Sequence, residues 1–75
     1  MTSKAEIRHL ADVINKALEF KGANWRISVE WAYGRPRAYK SPVEFPDRAD
    51  KELSPRLPTG KMLLWLEAFL EGMGA

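Results

Sequence analysis

The sequence predicts a single α+β domain in the order αββα, with two helices packed on one face of an antiparallel β-hairpin. Three observations predict this fold. Helical periodicity occurs at both ends of the 75-residue chain, apolar and polar residues alternate over Trp25–Tyr33, and Gly34-Arg35-Pro36 interrupts that alternation before a basic, aromatic segment. The length suits one small globular domain that spans residues 1–75.

The composition favours a protein whose core alone supplies its stability. There is no cysteine, so neither a disulfide framework nor a thiolate zinc site is available. No apolar run reaches the roughly 18–20 residues of a membrane span, and the charged N-terminus lacks the apolar core of a signal peptide. We therefore expect a cytoplasmic protein that has no membrane partner and binds no metal or other cofactor.

The first helix is predicted over residues 3–21. Ser3 and Glu6 have the spacing of a capping box, in which each side chain accepts a backbone N–H of the first turn. Gly22 follows as a residue that can adopt the left-handed conformation at a helix C-terminus. The predicted apolar face consists of Ile7, Leu10, Ala11, Ile14, Ala17 and Leu18, widened by Val13 and Phe20.

A second helix is predicted from Thr59, as its N-cap, to about Glu71. Residues 46–58, which precede it, contain three prolines and predict a loop with a helical turn near Asp47–Leu53. Leu53 and Leu57 are expected to hold this loop against the core. The apolar arc of the second helix consists of Met62, Leu63, Trp65, Leu66, Phe69, Leu70 and Met73.

The register of the hairpin can be argued from its turn. A two-residue turn at Gly34-Arg35 would require an N–H from Pro36, which has none. A three-residue turn, Gly34-Arg35-Pro36, is therefore predicted. The resulting two-stranded sheet is expected to have two open edges. The predicted pairs are Tyr33 with Arg37, Trp31 with Tyr39, Ile27 with Val43, Trp25 with Phe45, Glu30 with Lys40 and Arg26 with Glu44.

Catalysis is not expected. His9 is the only histidine and has no second metal-ligating neighbour in the sequence. Gly60-Lys61 lacks the glycine and hydroxyl residues that a phosphate-binding loop requires. Glu67 and Glu71 are spaced as a solvated helix face. We therefore predict that the protein is not an enzyme and has no catalytic residues.

Two groups of residues are candidates for binding. Residues 21–40 carry five Lys or Arg and one Glu, which accounts for the whole positive excess of the chain. Within them, Tyr33, Arg35, Arg37 and Lys40 combine residue types that suit either a protein hot spot or a nucleic acid. Leu64, Ala68 and Gly72 form a stripe that could mediate self-association as a homodimer, or could pack against the first helix of the same chain.

Two blocks of the sequence also follow a known pattern. Trp31–Tyr39 contains a Tyr-Gly turn before an aromatic strand, and Leu53–Gly72 contains a Ser-Pro-Arg-Leu segment before a Trp-Leu-x-x-Phe helix that ends in glycine. Both blocks resemble small uncharacterised proteins encoded in tailed-phage and prophage genomes. The resemblance implies an accessory role in the cytoplasm of a host cell, and a structured lead-in at Ser54-Pro55-Arg56.

The leading hypothesis is thus a non-enzymatic accessory protein of phage or prophage origin that binds a protein partner or itself. The alternative is a small nucleic-acid-binding protein that uses Tyr33, Arg35, Arg37 and Lys40. A structural component of the virion is a third possibility that the sequence leaves open.

Overall fold

The structure, a computed structural model, describes residues 4–45, 48 and 51–73 and has two helices and a three-stranded antiparallel sheet. The helices are α1, Lys4–Phe20, and α2, Thr59–Gly72; the strands are β1, Trp25–Ala32, β2, Arg35–Pro42, and β3, Lys51–Glu52. Strand β2 lies in the centre of the sheet. The α+β class is confirmed, and β3 is an element that the sequence did not predict. Neither helix in the described part of the chain has the length and apolarity to cross a bilayer.

Helix α1 buries most of its predicted core face. Ile7, Ala11, Ile14 and Leu18 are buried, and Gly22 follows the helix with a φ of +77°. Val13 and Phe20 were predicted to widen this face, which is wrong, because they are 36% and 93% exposed on the side turned away from the core. The predicted capping box includes Ser3, which lies outside the described residues.

Helix α2 runs parallel to α1 and completes the core. Met62 and Leu66 are fully buried, and the other predicted apolar residues are partly buried against the same cluster. Thr59 is the first helical residue, and Pro58 occupies the N-cap with no side-chain hydrogen bond. At the C-terminal ends the Lys21 ammonium group donates to the carbonyl of Met73. Helix α1 packs on β1, and α2 packs on β2.

The predicted hairpin turn is wrong. The loop consists of Tyr33 and Gly34, whose φ angles of +54° and +73° are those of a type I′ turn. The shorter loop shifts β2 by three residues, an odd number, so each strand residue of β2 faces the opposite side from the one predicted. The observed pairs are Trp25 with Pro42, Arg26 with Ser41, Ile27 with Lys40, Val29 with Ala38, Glu30 with Arg37 and Trp31 with Pro36.

The prolines of β2 are accommodated by the alternation of hydrogen-bonding direction along a strand. The carbonyl of Pro36 accepts a bond from the Leu57 N–H at 3.0 Å, so the polar groups of Pro36 point away from β1. Pro42 is six residues further along and points the same way. Neither missing N–H therefore interrupts the β1–β2 ladder. A two-residue turn at Tyr33-Gly34 is closed by the pair Ala32 and Arg35, so it needs no N–H from Pro36.

The segment between β3 and α2 covers the outer side of β2. The Ala38 N–H donates to the Ser54 hydroxyl at 3.0 Å, and the Ala38 carbonyl accepts bonds from the N–H groups of Leu53 and Ser54 at 2.9 and 3.3 Å. Ser54 is buried, and Leu53 and Leu57 pack against the core as predicted. The helical turn predicted near 47–53 is not formed at Lys51–Glu52, which is strand β3; residues 47, 49 and 50 lie outside the described part.

The outer edge of β1 is capped by a side chain from α1. The Asn15 Nδ2 donates to the Ile27 carbonyl at 3.0 Å, and the Ile27 N–H donates to the Asn15 Oδ1 at 2.8 Å. The amide thus forms the same pair of bonds that a neighbouring strand would form. The expectation of two open hairpin edges is wrong, because β3 covers one edge and Asn15 occupies the middle of the other.

Candidate binding surface

The hairpin turn projects an aromatic side chain into solvent. Tyr33 is 98% exposed, although its backbone holds the left-handed conformation that L-residues with bulky side chains rarely adopt. Gly34 completes the turn with a second positive φ and has open space around it. The predicted candidate Tyr33 is therefore presented to solvent by a two-residue turn.

Two arginines lie near this turn, Arg35 at the start of β2 and Arg56 in the segment before α2. Arg35 is exposed, and its carbonyl accepts a hydrogen bond from the Arg56 Nη1 at 3.0 Å. The segment that leads into α2 thus brings a second guanidinium group to the turn. We refer to Tyr33, Gly34, Arg35 and Arg56 as the tip surface. Arg56 was not predicted as a binding residue, because nothing in the sequence indicates that it reaches the turn.

Both helices begin at the same end of the molecule as the tip surface. The Lys4 ammonium group lies 4.9 Å from the ring centre of Trp31, which places the start of α1 near the end of β1. The bond from Leu57 to Pro36 places the start of α2 near the start of β2. Helix α2 has no acidic residue in its first turn. Helix α1 carries Glu6 in its first turn, so it is the dipole of α2 that adds positive potential to that of the arginines.

Arg37 is less available than its neighbours. One of its terminal nitrogens, Nη1, lies 3.3 Å from the Glu52 carboxylate of β3, and Glu30 is its cross-strand neighbour in β1. A side-chain hydrogen bond with Tyr39 and the charge of Glu52 raise the pKa of Arg37 above its ordinary value. The candidate residue Arg37 is thus held by an ion pair with Glu52, which lies in the segment predicted from the sequence to be a loop.

Lys40 is separated from the tip surface. It pairs with Ile27, and its ammonium group lies 5.1 Å from the ring centre of Trp25. Trp25 in turn contacts Phe69 of α2 edge to face, with ring centres 6.2 Å apart. Because Lys40 is five positions beyond Arg35 along the strand, the two Cα atoms are about 16 Å apart. The structure therefore brings together Tyr33 and Arg35 but not Lys40.

The predicted self-association residues lie on the outer face of α2. Leu64 is 65% exposed, and Ala68 and Gly72 are exposed as well. Their exposure does not support packing against α1, and self-association through this stripe stays a prediction. Helix α2 instead contacts α1 through the flank that contains Leu63, next to Leu10.

A shallow groove separates the N-terminal halves of the two helices. It has a volume of about 420 Å³ and is lined by Ala5, Glu6, His9, Leu10, Leu63 and Glu67. His9 is the only histidine and stands among two carboxylate residues and three apolar ones. Within the described ranges, no group of three or more His, Cys, Asp or Glu side chains is arranged to hold a metal ion.

No family model, curated protein or solved structure matches this chain. The function must therefore be inferred from the chemistry of the exposed tyrosine, the arginines and the outer face of α2.

Proposed function

We propose that this protein is a non-enzymatic binding module of phage or prophage origin, which uses the tip surface to contact an acidic site on a protein partner in the host cytoplasm. The observation that carries the proposal is the exposure of Tyr33 in a left-handed backbone conformation. Residues held in such conformations at a cost are concentrated at functional sites.

Neither packing nor local preference explains Tyr33. Type I′ turns favour Asn, Asp or Gly at this position, and the left-handed conformation costs other L-residues about 1–2 kcal/mol. A ring that is 98% exposed gains almost nothing from burial within the chain. A protein partner would supply that burial, and tyrosine is enriched in interfaces because its ring is rigid and has a polar end.

The charge at this end indicates the chemistry of the partner. Arg35 and Arg56 lie on adjoining backbone, next to the N-terminus of α2, whose first turn holds no acidic residue. Arginine forms bidentate bonds with carboxylates, so an acidic surface would complement the tip surface. The two blocks that resemble phage proteins also meet here, since one contains Tyr33 and Arg35 and the other contains Arg56.

The proposal includes an arrangement in which both helices lie on one face of the sheet and neither covers the opposite face, where Ser41 is buried beside Ser28. Ile27 and Ala38, which are diagonal cross-strand neighbours of the same face, belong to one core cluster with residues of α1 and α2. This arrangement would direct Arg35 and Arg37 to the face without helices, because they alternate with Pro36 and Ala38 along β2.

Affinity capture from nuclease-treated bacterial lysate tests the proposal. The wild-type protein is expected to retain a specific protein partner, and Tyr33→Ala is expected to lose it. Phe20→Ala is the matched control, because Phe20 is an equally exposed aromatic residue far from the turn. Equal capture by the wild-type protein and Tyr33→Ala, or capture lost in Phe20→Ala alone, would contradict the proposal.

Nucleic-acid binding by the same surface is the second candidate. The Arg56 guanidinium group, bonded to the Arg35 backbone, favours it because it adds a second positive charge beside the turn. If it is correct, titration with single-stranded DNA or RNA at low salt will shift the NMR signals of the Tyr33, Gly34 and Arg35 amides. Affinity should then fall steeply with salt, with a smaller slope for Arg35→Ala. Unchanged spectra with both nucleic acids at low salt would exclude this candidate and leave the protein partner.

A further inference from the structure

The outer face of α2 has a regular pattern of four exposed residues. Lys61, Leu64, Ala68 and Glu71 follow one another at intervals of three, four and three residues, which places them on one side of the helix. All four are exposed, and Leu64 is the most exposed large aliphatic side chain in the described part of the helices. This face of α2 is therefore apolar at its centre and charged at its ends, positive at Lys61 and negative at Glu71.

The charged residues at the two ends of this face are unfavourable for the isolated helix. Lys61 lies in the first turn of α2 and Glu71 in the last, whereas the helix dipole favours the reverse order. Neither residue has an ion-pair partner among the described residues. Charges that oppose the helix dipole, with no contact inside the chain to offset their cost, are expected where a contact with a partner offsets it.

We propose that this face is the interface of a homodimer, in which the α2 helices of two copies pack antiparallel about a two-fold axis. The axis passes between Leu64 and Ala68, at the level along the helix of Leu66, whose own side chain faces the core. The sequence of the face reads as a charge-complementary palindrome about that point. Lys61 then lies opposite Glu71 of the second copy, Leu64 lies opposite Ala68, and Gly60 lies opposite Gly72. The small residues let Leu64 approach the facing backbone closely, and the two-fold axis forms each of these contacts twice.

This interface differs from the tip surface and does not depend on its function. Because each α2 helix begins near the tip of its own copy, the antiparallel pairing directs the two tip surfaces to opposite ends of the dimer. One helix pair forms an interface at the small end of the range for specific contacts. Its dissociation constant is therefore expected between about 10 µM and 1 mM.

Sedimentation equilibrium of the full chain across that concentration range tests the proposal. The wild-type protein should shift from monomer to dimer, whereas Leu64→Glu should remain monomeric. Lys61→Glu and Glu71→Lys should each weaken the dimer by about tenfold or more, because each creates two like-charged contacts. The double variant Lys61→Glu/Glu71→Lys should restore dimerisation, since it exchanges the two charges of each pair.

The controls separate the interface from the stability of the fold. Circular dichroism should show the same helix content for each variant, because the substituted residues are exposed. The double variant should also melt at a higher temperature than the wild-type protein at concentrations where both are monomeric, because it reverses the unfavourable dipole placement. A wild-type protein that remains monomeric at 1 mM, a dimer that Leu64→Glu leaves intact, or a double variant that stays monomeric would each overturn the proposal.

Discussion

Replacing Asn15 with alanine is expected to lower the free energy of unfolding by about 1–3 kcal/mol. The substitution removes both hydrogen bonds to Ile27, a residue whose side chain is 3% exposed and belongs to the core. The Ile27 N–H and carbonyl then lose the only described partners on the outer side of β1. Chemical denaturation measured by tryptophan fluorescence will give the difference.

Lys16→Ala is the matched control, because Lys16 is the exposed neighbour of Asn15 on the same helix and should change stability by no more than about 0.5 kcal/mol. Amide hydrogen exchange gives a second readout that a general loss of helix stability would not reproduce. The Ile27 amide should lose its protection in Asn15→Ala, while the Val29 amide, which points to the same edge and has no such cap, should change little. Equal stability of the Asn15 and Lys16 variants would show that solvent replaces the Asn15 amide without cost.

The helices were predicted well because their apolar residues recur at a single period and one face is buried. The four fully or nearly fully buried positions of α1 and the buried Met62 and Leu66 of α2 all belong to the predicted arcs. Where the prediction included too much, at Val13 and Phe20, hydrophobicity alone was taken as evidence of burial. Single exposed apolar residues are common on protein surfaces, so the pattern alone could not exclude them.

The hairpin register could not be obtained from the pattern, because the register that matched apolar residues with apolar ones is not the one formed, and the observed register pairs Ile27 with Lys40. The decisive fact is conformational, since Tyr33 adopts a positive φ that the sequence gives no reason to expect. The prolines misled the prediction in the same way, because their effect depends on whether the missing N–H points toward β1 or away from it. Strand β3 has two residues, too few for any alternation to be visible.

Because the predicted register was wrong, the predicted contacts of the candidate binding residues were wrong as well. The predicted cross-strand partners of Arg26 and Lys40 are not formed, and Lys40 lies over Trp25 on the other side of the sheet from Arg35. Arg37, which was predicted opposite Tyr33, lies opposite Glu30 and contacts Glu52. Tyr33 and Arg35 were identified because they are next to the turn in every register. Arg56 reaches the turn from 21 residues away, a contact that only the folded chain shows.

Replacing Tyr33 with asparagine is expected to stabilise the fold and to abolish binding through the tip surface. Asparagine tolerates the left-handed conformation and is preferred before glycine in type I′ turns, so the free energy of unfolding should rise by about 0.5–1 kcal/mol. The exposed ring contributes no packing that could be lost. Affinity for the captured partner should fall by roughly 10- to 100-fold, as expected when an aromatic hot-spot residue is removed.

Thermal denaturation and isothermal titration calorimetry on the same preparations will measure the two effects together. Phe20→Ala serves again as the control and should leave affinity unchanged. Opposite changes in stability and affinity would mean that Tyr33 is retained at this position for a partner, since the folded chain itself is better served by asparagine. A Tyr33→Asn protein that is less stable than the wild type would instead assign the tyrosine a structural role in the turn, and the argument that connects its backbone conformation with function would fail.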